Sequence, residues 1–119
     1  MEITQVAEFK KDIKKLEKRF PTIRDDLERF KRIIILDPRK LAGVVRVHYK
    51  EVKIKPIVEV YKARKFRCKS LKGRGCLSGI RIIYGFWPAL NKIELLEIYY
   101  EEKKKNDCDL ERLKYYFGQ

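Results

Sequence analysis

Phe66-Arg-Cys-Lys-Ser-Leu-Lys-Gly-Arg-Gly-Cys-Leu-Ser-Gly-Ile-Arg-Ile-Ile-Tyr84 is the stretch on which the fold turns. It reads as a β-hairpin. One strand ends near Leu71, a Gly-rich connection holds Gly73, Gly75 and Gly79, and a return strand starts at Ile80. Alternation sets the direction of the side chains. Phe66 and Cys68 share one parity, while Lys65, Arg67 and Lys69 share the other. On the return strand Ile80, Ile82, Tyr84 and Phe86 make the apolar row, so Arg81 points away from it. With both apolar rows turned to a core, Arg67, Lys69 and Arg81 gather on the opposite face. Cations on a rigid antiparallel ribbon can hold phosphates.

Composition agrees with a polyanionic partner. The 119 residues carry 30 Lys and Arg against 17 Asp and Glu, a net charge of +13. Such an excess on a chain of one modest core points to nucleic acid or an acidic protein. A charge-rich surface by itself explains the number of charges but not their sign. No apolar run approaches the roughly 18 residues that a bilayer span requires. The N-terminus lacks the basic start and apolar stretch of a signal peptide, and three cysteines fit a reducing compartment. The expected location is the cytoplasm, with no membrane contact.

Outward from the hairpin, residues 2–6 are short and β-tolerant. From Ala7 the pattern is helical, with Phe9, Ile13, Leu16 and Phe20 on one side and Pro21 as the stop. Thr22 reads as an N-cap with Asp25 as its capping-box acid, opening a second helix through Leu27, Phe30 and Ile34 to Asp37-Pro38. A strand is expected over about 44–54 and a longer one over 57–71, with Val58 and Val60 inward. Pro88 and Asn91 mark a turn, and 93–100 is apolar on both parities, as in a central strand covered on both faces. Residues 101–107 form a charged loop, and Asp109 caps a last helix over 109–117. The expected fold is α+β in one domain, 1–119. An N-terminal helical hairpin packs on a four- to five-stranded antiparallel sheet, followed by a short C-terminal helix.

The chemistry available is limited. His48 is the only histidine, so Ser–His–Asp machinery is not at hand. Cys68, Cys76 and Cys108 lack the paired spacing of zinc modules, and no metal or other cofactor is expected. The Gly73/Gly75 loop lacks the strand–loop–Lys-Ser/Thr–helix order of a P-loop. Cations and tyrosines remain. Arg clamps a phosphate because its fork stays charged and bidentate, and Lys or Tyr can move protons when their pKa values are shifted. Aromatic rings can stack on bases.

The order helix–helix–sheet, the segment Gly73-Arg-Gly-Cys-Leu-Ser-Gly-Ile-Arg-Ile-Ile-Tyr84 and the later Glu97-Ile-Tyr-Tyr-Glu-Glu-Lys-Lys-Lys-Asn-Asp107 resemble the RelE/ParE toxin superfamily. The resemblance spans nearly the whole chain, and Ser78-Gly79-x-Arg81-x-x-Tyr84 is its most specific piece. It implies the toxin of a type II toxin–antitoxin pair, a metal-independent endoribonuclease that cuts mRNA, commonly on the ribosome, and is neutralised by a cognate antitoxin, here an acidic one. Under it Arg81 takes the scissile phosphate, Arg67 and Lys69 hold and activate the RNA, and Lys105 with Tyr116, or Tyr115 in its place, completes the catalytic set. Lys65, Lys72, Arg74, Lys103 and Tyr84 are then the RNA contacts. The chain departs from the family pattern at Tyr99-Tyr-Glu-Glu102, where members carry a basic element. The superfamily also contains DNA gyrase poisons that cut no RNA, and a non-toxic basic RNA-binding protein is a third expectation.

Overall fold

The computed structural model describes residues 1–101 and 108–119. Strand β1 (Glu2–Gln5) leads into helix α1 (Ala7–Glu17), and α2 (Ile23–Ile34) follows after the Pro21 turn. Four more strands come next: β2 (Val44–Arg46), β3 (Glu59–Ala63), β4 (Ile80–Trp87) and β5 (Lys92–Tyr100). Helix α3 (Leu110–Phe117) closes the order. The helices form where the apolar spacing places them. Phe9 and Ile13 of α1, Phe20 of the turn, and Ile23, Leu27, Phe30 and Ile34 of α2 are all buried. Asp109 caps α3 as expected, its carboxylate accepting from the Arg112 amide at 3.1 Å.

The start of α2 differs from the expected capping box. The Thr22 hydroxyl donates to Asp26 at 2.8 Å and lies 2.7 Å from the Ser70 hydroxyl, leaving Asp25 exposed. Asp26 is 1% exposed and also accepts from the Lys69 amide at 3.2 Å and from Arg29 at 3.2 Å. A buried carboxylate is tolerated only when its lone pairs are filled. Here the donors come from the segment after β3 as well as from α2, so Asp26 fastens that segment to the helix.

The sheet runs β1-β5-β4-β3-β2. It is mixed rather than antiparallel throughout, because β1 lies parallel to β5 with Glu2 in register with Lys92 and Gln5 with Leu95. Antiparallel pairing is enforced where a tight turn joins two strands. Such a turn joins β4 to β5 through Pro88–Leu90 and Asn91, whose φ is 49°; about three-quarters of the chain separates β1 from β5. Between β4 and β5, Ile83 faces Glu97 and Tyr84 faces Leu95, which makes Leu96 an extra residue, a bulge.

Two expected strands are short. The region 57–71 is a strand only over β3. The Arg64 amide turns to the Gly43 carbonyl, and backbone groups farther on bond to α2. Only an isolated parallel bridge joins Phe66 to Leu77, so residues 64–79 are a folded loop rather than a hairpin. Ser78, fully buried, holds it closed: its hydroxyl donates to the Phe66 carbonyl and accepts from the Ile80 amide. The region 44–54 is a strand only over β2; its far end turns instead to the C-terminal residues, where Gln119 donates to the Lys53 carbonyl and Lys55 to that of Phe117.

Ile80, Ile82, Tyr84 and Phe86 do form one buried row of β4. The helical hairpin covers this side, and Phe20 packs edge-on against Tyr100, 5.1 Å between centroids. The opposite row, Arg81, Ile83, Gly85 and Trp87, is covered at one end by α3. A Cβ on Gly85 would stand 2.6 Å from the Phe117 ring, and Trp87 meets the same ring edge-on. The double cover read for β5 therefore extends to β4. Arg81 lies at the other end of that row.

Candidate functional site

Arg81 stands in register with Tyr99 of β5. One row along, Lys62 of β3 is opposite Ile83, itself opposite Glu97. Register partners share a face, so Lys62, Arg81 and Tyr99 belong to the outer side of the sheet. The Arg81 side chain is only 13% exposed. Its Nη1 donates to the Arg64 carbonyl at 2.9 Å and its Nη2 to the Glu101 carboxylate at 2.7 Å. Its Nε is buried and, among the described residues, has no hydrogen-bond partner. The guanidinium is thus fixed by backbone through Nη1 and presents Nη2 to an oxyanion. The Glu101 amide in turn donates to the Gly79 carbonyl at 3.0 Å, placing this carboxylate beside the start of β4.

The other expected site residues are dispersed. Arg67 and Lys69 are exposed, as their parity requires, but β3 has ended and they share no strand register with Arg81. Their segment is held by α2: Arg29 donates to the Arg67 carbonyl at 3.0 Å, and the Lys69 amide bonds to Asp26. The expected ribbon of Arg67, Lys69 and Arg81 does not form. Lys65 is exposed and lays its stem over Gly43, where a Cβ would come within 2.5 Å of the Lys65 Cγ. Lys72 and Arg74 are exposed on the loop. Lys103 and Lys105 lie outside the described residues.

Both tyrosines of the expected site are otherwise engaged. Tyr84 is fully buried, stacked on Tyr61, and its hydroxyl donates to the Pro38 carbonyl. Burial pushes that hydroxyl far above its usual pKa. No face of the ring is left for a base, so Tyr84 belongs to the core. The Tyr116 hydroxyl donates to Glu8 of α1 at 2.6 Å, and that bond is the main cause holding its pKa up at about 12. It joins a clamp between α1 and α3 in which Arg112 donates to Asp12 at 2.6 Å. The Tyr116 proton is therefore held by Glu8.

Lys62 is the residue that the sequence alone hid. It shares the parity of Val58 and Val60, which read as inward, and only the register with β4 puts it beside Arg81. Among the described residues no three of the His, Cys, Asp and Glu side chains group as a metal site. No helix among them is long and apolar enough to cross a membrane.

No protein-family model matches the chain, and no curated protein matches its sequence. Among solved structures it is similar to a chain of the archaeal RelE–RelB complex from Pyrococcus horikoshii OT3. The TM-score is 0.57 at 16% identity, over 87% of this chain and 97% of that one. At that identity the likeness is one of fold: an α+β chain with a five-stranded mixed sheet.

Proposed function

We infer that this chain is the toxin of a toxin–antitoxin pair and cuts mRNA without a metal, with Arg81 as the phosphate-binding residue and an acidic antitoxin as its partner. The observation that carries this is the Arg81 guanidinium. It is fixed by the Arg64 carbonyl, largely buried, and already engaged with an oxyanion at 2.7 Å. The fold likeness to a chain of a RelE–RelB complex supports the toxin class.

In this chemistry the 2′-hydroxyl attacks the adjacent phosphorus. The 2′-O–P bond forms as the 2′-hydroxyl proton passes to solvent water, the P–O5′ bond breaks, and a 2′,3′-cyclic phosphate and a 5′-hydroxyl result. The phosphoryl oxygens gain charge in the transition state. A preorganised guanidinium stabilises that charge more than it stabilises bound substrate. Lys62, on the same face, supplies a second cation and a proton for the leaving oxygen. Arg67 and Lys69, away from this centre, serve as contacts to flanking phosphates.

Arg81→Ala tests the assignment. Losing one such donor costs about 3 kcal/mol, roughly a hundredfold in rate, while the protein stays folded and still binds its antitoxin. Full cleavage of a ribosome-bound message by the folded variant overturns it. Induction without antitoxin, followed by labelled amino acid and thymidine incorporation, separates translation arrest from gyrase poisoning: early loss of thymidine incorporation alone selects the latter.

A further inference from the structure

Lys11, Lys14, Lys15 and Lys18 recur along α1 at spacings of three and four, so they share one stripe of the helix. Like charges at such spacings repel. In an ordinary solvated helix the interleaved acids would offset them, and α2 does this with the pairs Asp26–Arg29 and Glu28–Lys31. Helix α1 does not. Each of its acids is committed elsewhere: Glu8 to the Tyr116 hydroxyl, Asp12 to Arg112 and the Ile98 amide, Glu17 to Arg24. Among the described residues none of the four lysines has an ion pair. Favourable placement at the negative end of the helix explains Lys14 and Lys15, in the last turn, but not Lys11.

The stripe borders a groove of about 430 Å³ that also includes Arg112. A second groove of about 440 Å³ continues from it, sharing Lys15, Asp12 and Arg112, and reaches Arg19 and Tyr99. Arg19 lies over the Tyr100 ring at 4.9 Å, and Tyr99 is the register partner of Arg81. The basic track therefore ends one strand from the Arg81 centre. We propose that the α1 stripe and these two grooves bind the phosphate backbone of RNA, without reading its sequence, and lead the strand toward Arg81. The proposal goes beyond the reading of Arg81 and rests on it only for the choice of RNA as the polyanion. At 1.5 Å per residue the stripe spans about 10 Å.

The test is Lys11→Gln/Lys14→Gln/Lys15→Gln/Lys18→Gln, placed in the full chain that also carries Arg81→Ala so that the probe stays intact. Helix content by circular dichroism confirms folding. The probe is a single-stranded RNA oligonucleotide long enough to run from the stripe to β5, titrated across a series of salt concentrations. Neutralising about three contacts lowers the log–log salt slope by about 2 and the affinity at about 0.1 M salt roughly a hundredfold. Unchanged slope and affinity in a folded variant overturn the proposal. So does selective loss of binding to an acidic polypeptide with RNA binding retained, which would make the stripe a protein-docking face. Binding, not cleavage, is the readout, so a failure here is distinct from a failure of Arg81 as the nuclease centre. A Lys40→Gln/Lys50→Gln/Lys53→Gln/Lys55→Gln variant, whose lysines line neither groove, controls for total charge.

Discussion

The Glu101 carboxylate sits 2.7 Å from Nη2 of Arg81, on the side of the guanidinium that the Arg64 carbonyl leaves open. A carboxylate and a phosphate oxygen ask for the same donor, so the two compete for Nη2. Glu101 is about half exposed, at 48%, and can swing into water. Under the proposed reading, the resting chain thus carries its own substitute for the phosphate.

Glu101→Gln removes that competitor. The pair is partly exposed, so its worth is at most about 1 kcal/mol. The variant is expected to bind inorganic phosphate and RNA up to about fivefold more tightly, with a lower KM for cleavage. Loss of cleavage instead would assign the carboxylate a role in proton transfer.

Lys62→Met keeps the length of the side chain and removes the cation. Its expected cost is at least a hundredfold in kcat, since a positioned proton donor contributes about that much, with KM changed little. Single-turnover cleavage beside thermal unfolding gives the answer. An unchanged rate removes Lys62 from the centre.

Much of this centre was hidden for reasons of register. Parity set Arg81 outside the apolar row of β4, and that much was legible. Parity cannot say which residue of a neighbouring strand lies alongside, so Lys62 was masked by the inward reading of Val58 and Val60. The same parity that put Tyr84 in the apolar row argued against its use as a stacking ring, and the buried side chain follows the parity. Helices α1 and α2 were legible because their apolar spacing is local. The loop 64–79 was not, because its course depends on Asp26 and Thr22, some forty residues earlier in the chain. The direction of β1 was equally hidden, as no turn constrains it.

Asp26→Ala tests that anchorage. Its carboxylate is 1% exposed and serves Thr22, Arg29 and the Lys69 amide. Breaking a buried set by removing one partner costs about 3 kcal/mol. Urea unfolding is expected to show that loss, and amide exchange at Lys69 is expected to quicken. A change under about 0.5 kcal/mol, the range of an ordinary surface substitution, would mean the loop is held elsewhere.

Acid should loosen the edge of the sheet. Glu59 is lowered from 4.5 to about 2, first by its hydrogen bonds from Arg39, at 2.8 and 2.9 Å, and also by the Tyr61 hydroxyl. A carboxylate whose folded pKa is depressed contributes stability that is full above 4.5 and lost as the pH falls toward 2. With water screening the Arg39 side, the loss is on the order of 1 kcal/mol. Glu59→Gln should flatten the stability profile in that window; an unaltered profile would clear Glu59 of the effect.

The parallel seam between β1 and β5 has a kinetic meaning. Glu2 meets Lys92 across about three-quarters of the chain, a contact of very high sequence separation whose closure entropy must be met before it returns anything. The α1–α2 hairpin is local and can form early, whereas the sheet has no complete centre until β5 arrives. During synthesis β1 therefore waits as an unpaired edge while everything up to residue 92 is made. The Arg81 cluster, which draws on β3, β4 and the residue after β5, cannot close until Glu101 has been made.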